Sequence, residues 1–308
     1  MLQVRNRAFH GARPSPRSDR RVRNRAFHGA RPSGTCPWRP ACYVSCRRAR
    51  LFATVGLFLT SLLAAHAATQ TVSNIEREKN WADQIVDAVV VGEPVWLSAR
   101  QQKFLALYAP PAQAGNRGVI LLHGRGVHPA WGFIDNLRAD LAEAGYHTLS
   151  LQMPILGTSA SLGAYGKTFP EAFERIDAGI LYLKKKGVQR VVLLGHSTGA
   201  MNAVAYTVKR PQAPVDGVVA IGLSTLANGP DTLQPALMLK TARVPVLDLY
   251  GANDLPEVLS YTEARRAAAR EAGNKGYSAV RVPDADHFFT DQYERLKKHV
   301  VDWLGRNK

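Results

Sequence analysis

The sequence predicts an α/β fold in which a mostly parallel sheet carries helices on both faces. Short, continuous apolar runs rich in Val, Leu and Ile recur along the chain, which is typical of strands buried on both faces. Amphipathic stretches of helical length separate these runs, and such alternation builds βαβ units around a central sheet. The runs that predict strands are GVILLHG, YHTLSLQMP, VQRVVLLGH, VDGVVAIGL, VPVLDLYG and YSAVRVP.

Other elements are predicted from local patterns. A helix begins at Ile75 and extends to about Val90, and the runs EPVWLSA and KFLALYAP that follow it read as a β-hairpin. The amphipathic stretches predicted as helices are Trp131 to Gly145, Pro170 to Lys186, Thr198 to Arg210, Thr232 to Ala242, Glu257 to Gly273 and Thr290 to Leu304.

The first 43 residues have a composition unlike the rest of the chain. The stretch VRNRAFHGARPS occurs at residues 4–15 and again at 22–33. Arg-rich, Pro-containing copies of this kind hold too few apolar residues to bury a core. Residues 1–43 are therefore expected to lie upstream of the true translation start or to be disordered. A basic arm that binds nucleic acid is the alternative, and the export signal that follows it disfavours that interpretation.

A secretory signal peptide is predicted at residues 44–67. Arginines within 47–50 precede the apolar run Leu51 to Ala65, and a small-residue cleavage pattern ends at Ala67. The run is shorter than the roughly 20 residues that cross a bilayer, so no stable membrane anchor is expected after cleavage, with a retained anchor as the alternative. Residues 68–308 would then form a single periplasmic or secreted domain.

Removing the first 67 residues changes the composition on which function classes depend. The whole chain has a formal net charge of +16, whereas residues 68–308 hold 27 Lys and Arg against 23 Asp and Glu, a net charge of +4. The basicity is therefore no argument for a nucleic-acid partner. All three cysteines also lie before Ala67, so neither disulfides nor thiol chemistry are expected in the remainder.

Ser197 lies at the centre of the pattern Gly-His-Ser-Thr-Gly, between the run VQRVVLLG and a helical stretch. A serine at the apex of a strand–turn–helix is what a nucleophile elbow requires. The turn places its hydroxyl at the positive N-terminal end of a helix, where a developing anion is stabilised. The context favours a nucleophile over a glycine-rich connection that happens to contain a serine.

A serine nucleophile needs a base and a carboxylate that orients the base. Asp254 follows a buried strand and His287 follows the last strand, so the chain order is Ser197, Asp254, His287, as in α/β hydrolases. All three are predicted at the carboxyl ends of parallel strands, where open α/β sheets gather their sites. The competing carboxylates are predicted to be structural: Asp248 inside its strand, Asp284 and Asp286 in a turn, and Glu257 at a helix start.

The oxyanion donors are predicted to be the backbone N–H groups of Arg125 and Thr198. His123 is expected to hold the loop that carries Arg125. The Arg125 side chain is expected to face water, with recognition of a carboxylate-bearing substrate as the alternative. His196 is expected to pack beside the nucleophile without acting as a base.

No cofactor and no metal site are predicted. Among residues 68–308, the other histidines are His128, His147 and His299, and they lack paired ligand spacing. Only about ten residues separate VVAIGL from the next helix, so no dedicated helical lid is expected there. The segment from Leu156 to Phe169 is the expected pocket cover.

The chain resembles the α/β-hydrolase superfamily. The motifs WADQIVDAVVVGEPVWL, LLHGRGVHPAWGF, GHSTGAMNA, DLYGANDLPEV and DADHFF resemble an uncharacterised, typically exported proteobacterial branch, known as a domain of unknown function. This resemblance implies an α/β-hydrolase fold with eight strands, the second antiparallel, and a triad at Ser197, Asp254 and His287.

The function that the sequence predicts is acyl hydrolysis, most simply by an exported carboxylesterase that acts on a small-molecule acyl substrate. Ester, thioester and amide substrates are not separable from the sequence, nor are hydrolysis and transfer. The alternative is a catalytically idle hydrolase fold that binds an envelope ligand or protein. An intact triad argues against that alternative.

Overall fold

The computed structural model describes residues 70–307, which form an α/β unit built on an eight-stranded sheet. The expectations for residues 1–67, including the signal peptide, lie outside the described residues. The strands are β1 Glu93–Ala99, β2 Gln102–Ala109, β3 Arg117–Leu122, β4 His147–Leu151, β5 Arg190–His196, β6 Val215–Ile221, β7 Val246–Asn253 and β8 Tyr277–Asp286.

The strand order is β1-β2-β4-β3-β5-β6-β7-β8. Strand β2 is antiparallel to both of its neighbours, and every other pair is parallel. The eight strands and the antiparallel second strand that the resemblance implied are confirmed. Because β3 and β5 to β8 all run in the same direction, their carboxyl ends meet at one edge of the sheet.

Eight α-helices accompany the sheet within residues 70–307. They are α1 Ile75–Ile85, α2 Phe133–Glu143, α3 Phe169–Lys185, α4 Thr198–Lys209, α5 Pro235–Leu239, α6 Pro256–Leu259, α7 Thr262–Glu271 and α8 Tyr293–Arg306. Short 3-10 helices lie at Val86–Ala88, Gly163–Thr168 and Asp231–Leu233. No helix in this part of the chain is long and apolar enough to cross a membrane.

Three of the predicted helices differ from the observed ones. The stretch 232–242 forms only the short α5, and 257–273 divides into α6 and α7 around Tyr261, whose backbone leaves helical geometry. Helix α8 begins later than predicted because Phe289 and Asp291 have positive φ angles of 53° and 55°, which a right-handed helix excludes.

Helices cover both faces of the central strands, and successive side chains of each strand point to opposite faces. Along β3, Val119 and Leu121 pack with helices α2 and α8, whereas Ile120 and Leu122 pack with α3 and α4. These alternating contacts explain why the strand sequences are continuously apolar.

Helix α7 is tied to the sheet by a fully buried ion pair. Arg265 Nε donates to Asp248 Oδ2 over 2.7 Å, and the Tyr277 hydroxyl donates to the same oxygen over 2.7 Å. Neither Arg265 nor Asp248 has any side-chain exposure. Asp248 is therefore committed to a structural contact, as predicted from its position inside the strand.

Replacing Arg265 with methionine should lower the free energy of unfolding by about 3–5 kcal/mol, because it leaves Asp248 as an uncompensated buried charge. Urea denaturation measures this loss. The matched control is Lys298→Met, which removes the exposed ion pair with Asp302 and should cost less than about 1 kcal/mol. Equal losses in the two variants would contradict the assigned role of the buried pair.

Candidate active site

Ser197 occupies the turn between β5 and α4. Its backbone has φ 55° and ψ −117°, in the positive-φ region that non-glycine residues rarely adopt. The turn is held because Ser197 N–H donates to Ile221 O over 2.8 Å and Ser197 O accepts from Met201 N–H over 3.1 Å. The side chain is half-buried, so its hydroxyl lies at the surface of a cavity and remains accessible.

The two glycines that flank Ser197 are required by close backbone packing. A Cβ atom at Gly195 would overlap the carbonyl of Gly199, and a Cβ atom at Gly199 would overlap the carbonyl of Leu122. Any side chain at either position would therefore push α4 away from β5 or β3. The glycine spacing around Ser197 follows from how closely the helix approaches the strands.

Asp254 and His287 form a buried hydrogen-bonded pair. His287 Nδ1 lies 2.6 Å from Asp254 Oδ1, and the two side chains are 6% and 0% exposed. The same carboxylate accepts from Leu255 N–H over 2.8 Å and from Gly251 N–H over 3.2 Å. These contacts fix the carboxylate against the imidazole and favour the tautomer whose proton is on Nδ1, which leaves Nε2 as an acceptor.

The structure brings four of the five sequence-predicted site residues around one cavity of about 240 Å³. Ser197 and His287 line it together with Arg125 and Thr198, while Asp254 reaches the cavity only through His287. The elements that carry them end at the same edge of the sheet: β3 before Arg125, β5 before Ser197, β7 before Asp254 and β8 before His287.

The backbone N–H groups of Arg125 and Thr198 are free of hydrogen bonds to other groups within residues 70–307. Thr198 is the first residue of α4, where helical N–H groups have no partner inside the helix. Arg125 follows Gly124, whose Cα lies beside Ser197, since an added Cβ would be 3.5 Å from Ser197 Cβ. Both amides are therefore available as donors to an atom held near Ser197.

His123 holds the loop that carries Arg125. Its Nε2 accepts from Met153 N–H over 2.9 Å, so its Nδ1 carries the proton and donates to Gly124 O over 2.8 Å. Burial lowers the pKa of His123 to about 3, so the ring stays neutral. The ring links the ends of β3 and β4 and is not available as a base.

His196 packs against the pair formed by His287 and Asp254. Its Nε2 donates to the backbone oxygen of His287 over 3.0 Å, and the two ring centroids lie 4.7 Å apart. The Trp131 ring lies nearly parallel to the His196 ring, and their centroids are 6.0 Å apart. Burial lowers the pKa of His196 to about 3, so it packs as a neutral aromatic ring.

These two neutral histidines should make the protein less stable in acid. In the unfolded chain a histidine titrates near pH 6.5, so below that pH the unfolded state binds protons that the folded state excludes down to about pH 3. Each histidine should therefore lower the free energy of unfolding by about 1.4 kcal/mol per pH unit as the pH falls through this window.

His196→Phe, which retains an aromatic ring, should reduce this slope by about one histidine's share. Urea unfolding at several pH values between 6 and 4 gives the slope. A variant with the wild-type slope would contradict the buried, neutral state of His196.

The sequence does not reveal most of the cavity wall. Gly222 has φ 57°, and a Cβ there would lie 2.9 Å from the His287 ring, so this glycine makes room for the imidazole. Glu257 lines the cavity as well as opening a helix, a contact that the sequence does not predict. The remaining side chains of the wall are Val127, Trp131, Leu162, His196, Ser224, Leu255 and Phe288.

The structure also shows where the competing aspartates, the expected pocket cover and the candidate metal ligands lie. Asp286 accepts from Phe288 N–H and Thr290 N–H and shapes the turn after His287, while Asp284 is exposed. Of the expected cover 156–169, Leu162 contacts the cavity. Within the described residues, no group of three His, Cys, Asp or Glu side chains is placed to hold a metal.

A family model, described as "Protein of unknown function (DUF3530)", matches residues 60–171 and 158–306. The chain belongs to this family. Its fold is that of the α/β-hydrolase superfamily, as the structural relatives indicate. Est1E from Butyrivibrio proteoclasticus matches with a TM-score of 0.55 at 17% identity, over 70% of this chain and 98% of that one.

Two further relatives are enzymes by name. Dienelactone hydrolase from Anabaena variabilis ATCC 29413 matches with a TM-score of 0.53 at 20% identity, over 69% of this chain and 96% of that one. A 2-hydroxy-6-oxononadienedioate/2-hydroxy-6-oxononatrienedioate hydrolase from Burkholderia vietnamiensis (strain G4 / LMG 22486) is 30% identical over 173 residues, 51% of this chain. The match spans 58% of that relative's length.

Proposed function

We propose that this chain is an exported serine hydrolase of the carboxylesterase type, with Ser197 as nucleophile, His287 as base and Asp254 as the orienting carboxylate. The observation that carries the proposal is the 2.6 Å contact between His287 and Asp254 beside the cavity that Ser197 lines. The relatives named as hydrolases support hydrolysis as the reaction class.

In the proposed acylation, His287 Nε2 takes the proton of the Ser197 hydroxyl while its oxygen attacks the substrate carbonyl carbon. The carbonyl electron pair moves onto oxygen and gives a tetrahedral intermediate. When that intermediate collapses, the bond to the leaving alcohol breaks and the imidazolium returns the proton to the alcohol. Asp254 remains ionised and stabilises the positive imidazolium through its bond to Nδ1.

The negative oxygen of the intermediate is held by the amides of Arg125 and Thr198 in this proposal. Helix α4 adds its positive N-terminal end at the same place. Water then attacks the acyl-enzyme carbonyl while His287 takes its proton. When this second intermediate collapses, the bond between the acyl carbon and Ser197 Oγ breaks, the imidazolium returns the proton to Ser197 Oγ, and the acid is released.

The cavity walls support an acyl group that is largely apolar and of modest size. Five apolar side chains line the cavity, and one of them, Phe288, is 50% exposed; they are Val127, Trp131, Leu162, Leu255 and Phe288. A cavity of about 240 Å³ is small for a ligand site, below the usual range of roughly 300–1,000 Å³. We therefore propose short acyl esters as the preferred substrates.

The test is hydrolysis of a series of 4-nitrophenyl esters from acetate to decanoate by the purified protein. The expected result is turnover with a maximum of kcat/KM at short chains and a decline with longer ones. Absence of turnover across the series would argue for the alternative of a catalytically idle fold that binds an envelope ligand.

Export is proposed from the signal peptide predicted at residues 44–67. The periplasmic or secreted product should begin at Ala68, as N-terminal sequencing of protein from the native host would establish. A product that begins upstream of residue 44 would contradict both the export signal and the expected translation start.

A further inference from the structure

A second cavity adjoins the proposed catalytic cavity. Its volume is about 310 Å³, and Arg125 lines both cavities. Arg77, Gly126, Thr158 and Tyr165 also line the second cavity. No acidic side chain contributes to its wall among the described residues.

Arg77 places a fixed positive charge at this cavity. Its Nη1 donates to Leu156 O over 2.6 Å and its Nη2 donates to Gly126 O over 2.8 Å. These carbonyls hold the guanidinium in place without neutralising its charge. Within residues 70–307 Arg77 has no ion pair with a carboxylate, and a guanidinium stays charged at all accessible pH values.

Arg125 adds a second positive charge at the border between the two cavities. Its side chain is exposed, and it forms neither a hydrogen bond nor an ion pair with another group in the described part of the chain. The guanidinium is therefore free to turn toward a ligand in either cavity, while its backbone N–H stays in the loop beside Ser197.

Tyr165 supplies a buried donor in the same wall. The residue is 3% exposed, and its hydroxyl oxygen accepts from Leu156 N–H over 3.1 Å. The hydroxyl proton is donated to no group within residues 70–307. A Cβ at Gly126 would lie 3.5 Å from both Arg77 Nη atoms and 3.8 Å from the Tyr165 oxygen, so these donors surround one point.

Glu257 lines the catalytic cavity but not the second one. A carboxylate in the catalytic cavity repels an anion there, whereas the second cavity presents two guanidinium groups and a hydroxyl donor. The charge distribution thus makes the second cavity, and not the catalytic cavity, the more favourable site for an anion.

We propose that the second cavity is a subsite for an anionic group of the substrate, held by Arg77, Arg125 and Tyr165. The substrate class is an ester with a carboxylate some bonds away from the carbonyl that Ser197 attacks. This inference rests on the proposed function, since it places one part of the same substrate. Arg125 would contribute its amide to the reaction and its side chain to the selection of substrate.

The test compares charged and neutral esters of matched length in the full chain. One pair carries the charge on the acyl side, the 4-nitrophenyl monoester of adipic acid against 4-nitrophenyl hexanoate. The other carries it on the leaving group, 4-acetoxybenzoate against its methyl ester. We expect one pair to show a charged-to-neutral ratio of kcat/KM above one, and Arg125→Gln to lower that ratio on the order of tenfold.

Two further variants sharpen this comparison. Arg125→Glu reverses the charge and should lower the ratio further than Arg125→Gln. The control is Arg243→Gln, which removes the same charge at an exposed position outside both cavities and should leave the ratio unchanged. The subsite would be overturned if neutral esters are turned over but neither pair shows a charged-to-neutral ratio that changes on substitution of Arg125.

A binding measurement separates failure of the subsite from failure of the proposed reaction. Calorimetric titration of Ser197→Ala uses monomethyl adipate against methyl hexanoate, and 4-acetoxybenzoate against its methyl ester. The charged ligand should bind more tightly than the neutral one in one of these pairs, and Arg125→Glu should abolish the difference. If no ester is turned over but this difference is found, the subsite stands and the proposed hydrolysis falls. If neither is found, both are overturned.

Discussion

Replacing Ser197 with alanine is expected to lower kcat for 4-nitrophenyl ester hydrolysis by about 10⁵-fold or more, to a residual rate near the level that the remaining binding groups support. The reason is that the Ser197 hydroxyl, at the tip of the β5–α4 turn in the cavity that His287 also lines, is the attacking group in the proposed mechanism. Without that oxygen no acyl-enzyme forms. Steady-state kinetics, with circular dichroism as a check on folding, measures the loss.

Ser224 offers a matched control, because its side chain lines the same cavity and bonds Gly222 O at 3.4 Å. Ser224→Ala removes a hydroxyl of the same chemistry from the same wall and should retain turnover within about tenfold of wild type. If the two variants lost activity equally, the elbow serine would not be the nucleophile.

Asp254→Asn is expected to lower kcat by about 10⁴-fold with the fold intact, as loss of the carboxylate does in serine-hydrolase triads. In the structure Asp254 Oδ1 accepts from both His287 Nδ1 and Leu255 N–H. An asparagine that kept its oxygen at this position would place its NH2 group against the Gly251 N–H, which is also a donor. The flipped amide would accept from Gly251 N–H and present its NH2 group to His287, which favours the wrong tautomer. In either orientation the negative charge beside the imidazole is lost. Steady-state kinetics at several pH values would measure the effect.

Asp284→Asn is the control for that experiment. Asp284 lies three residues before His287, is exposed, and has φ 61°, a conformation that asparagine tolerates well. Its replacement should change kcat by less than about twofold. A loss in Asp284→Asn as large as that in Asp254→Asn would mean that a general change in charge, and not the contact with His287, sets the rate.

The sequence predicts the sheet and the positions of the candidate site residues because both follow from local patterns. Continuous apolar runs mark the buried strands, and Ser197, Asp254 and His287 each stand where such a run ends. The glycines around Ser197 are also a local pattern. They are needed because a helix packs closely on the strands at this point. These features are specified by residues that are near in the chain.

The features that the sequence did not reveal depend on contacts between distant segments. The stacking of Trp131 on His196 joins residues from different connections, and neither residue alone predicts it. The second cavity likewise requires Arg77 of α1 to reach the loop after β3 and the turn at Leu156. Which of several possible partners a side chain contacts depends on tertiary packing, and a single sequence does not predict that packing.

The amphipathic pattern also does not predict the break between α6 and α7 or the late start of α8. The amphipathic pattern continues through both places, but the backbone departs from helical geometry at Tyr261 and at Asp291. At the second place the Asp286 carboxylate binds the N–H groups of Phe288 and Thr290 and stabilises a turn in competition with the helix.

The measurement that tests the central claim most directly is the identity of the residue that a fluorophosphonate modifies. Such probes react with an activated serine, and mass spectrometry of the digested protein locates the adduct. The account predicts a single adduct on the peptide that contains Ser197, and none after Ser197→Ala. An adduct on another residue, or a folded wild-type protein that does not react, would contradict an activated nucleophile at the elbow.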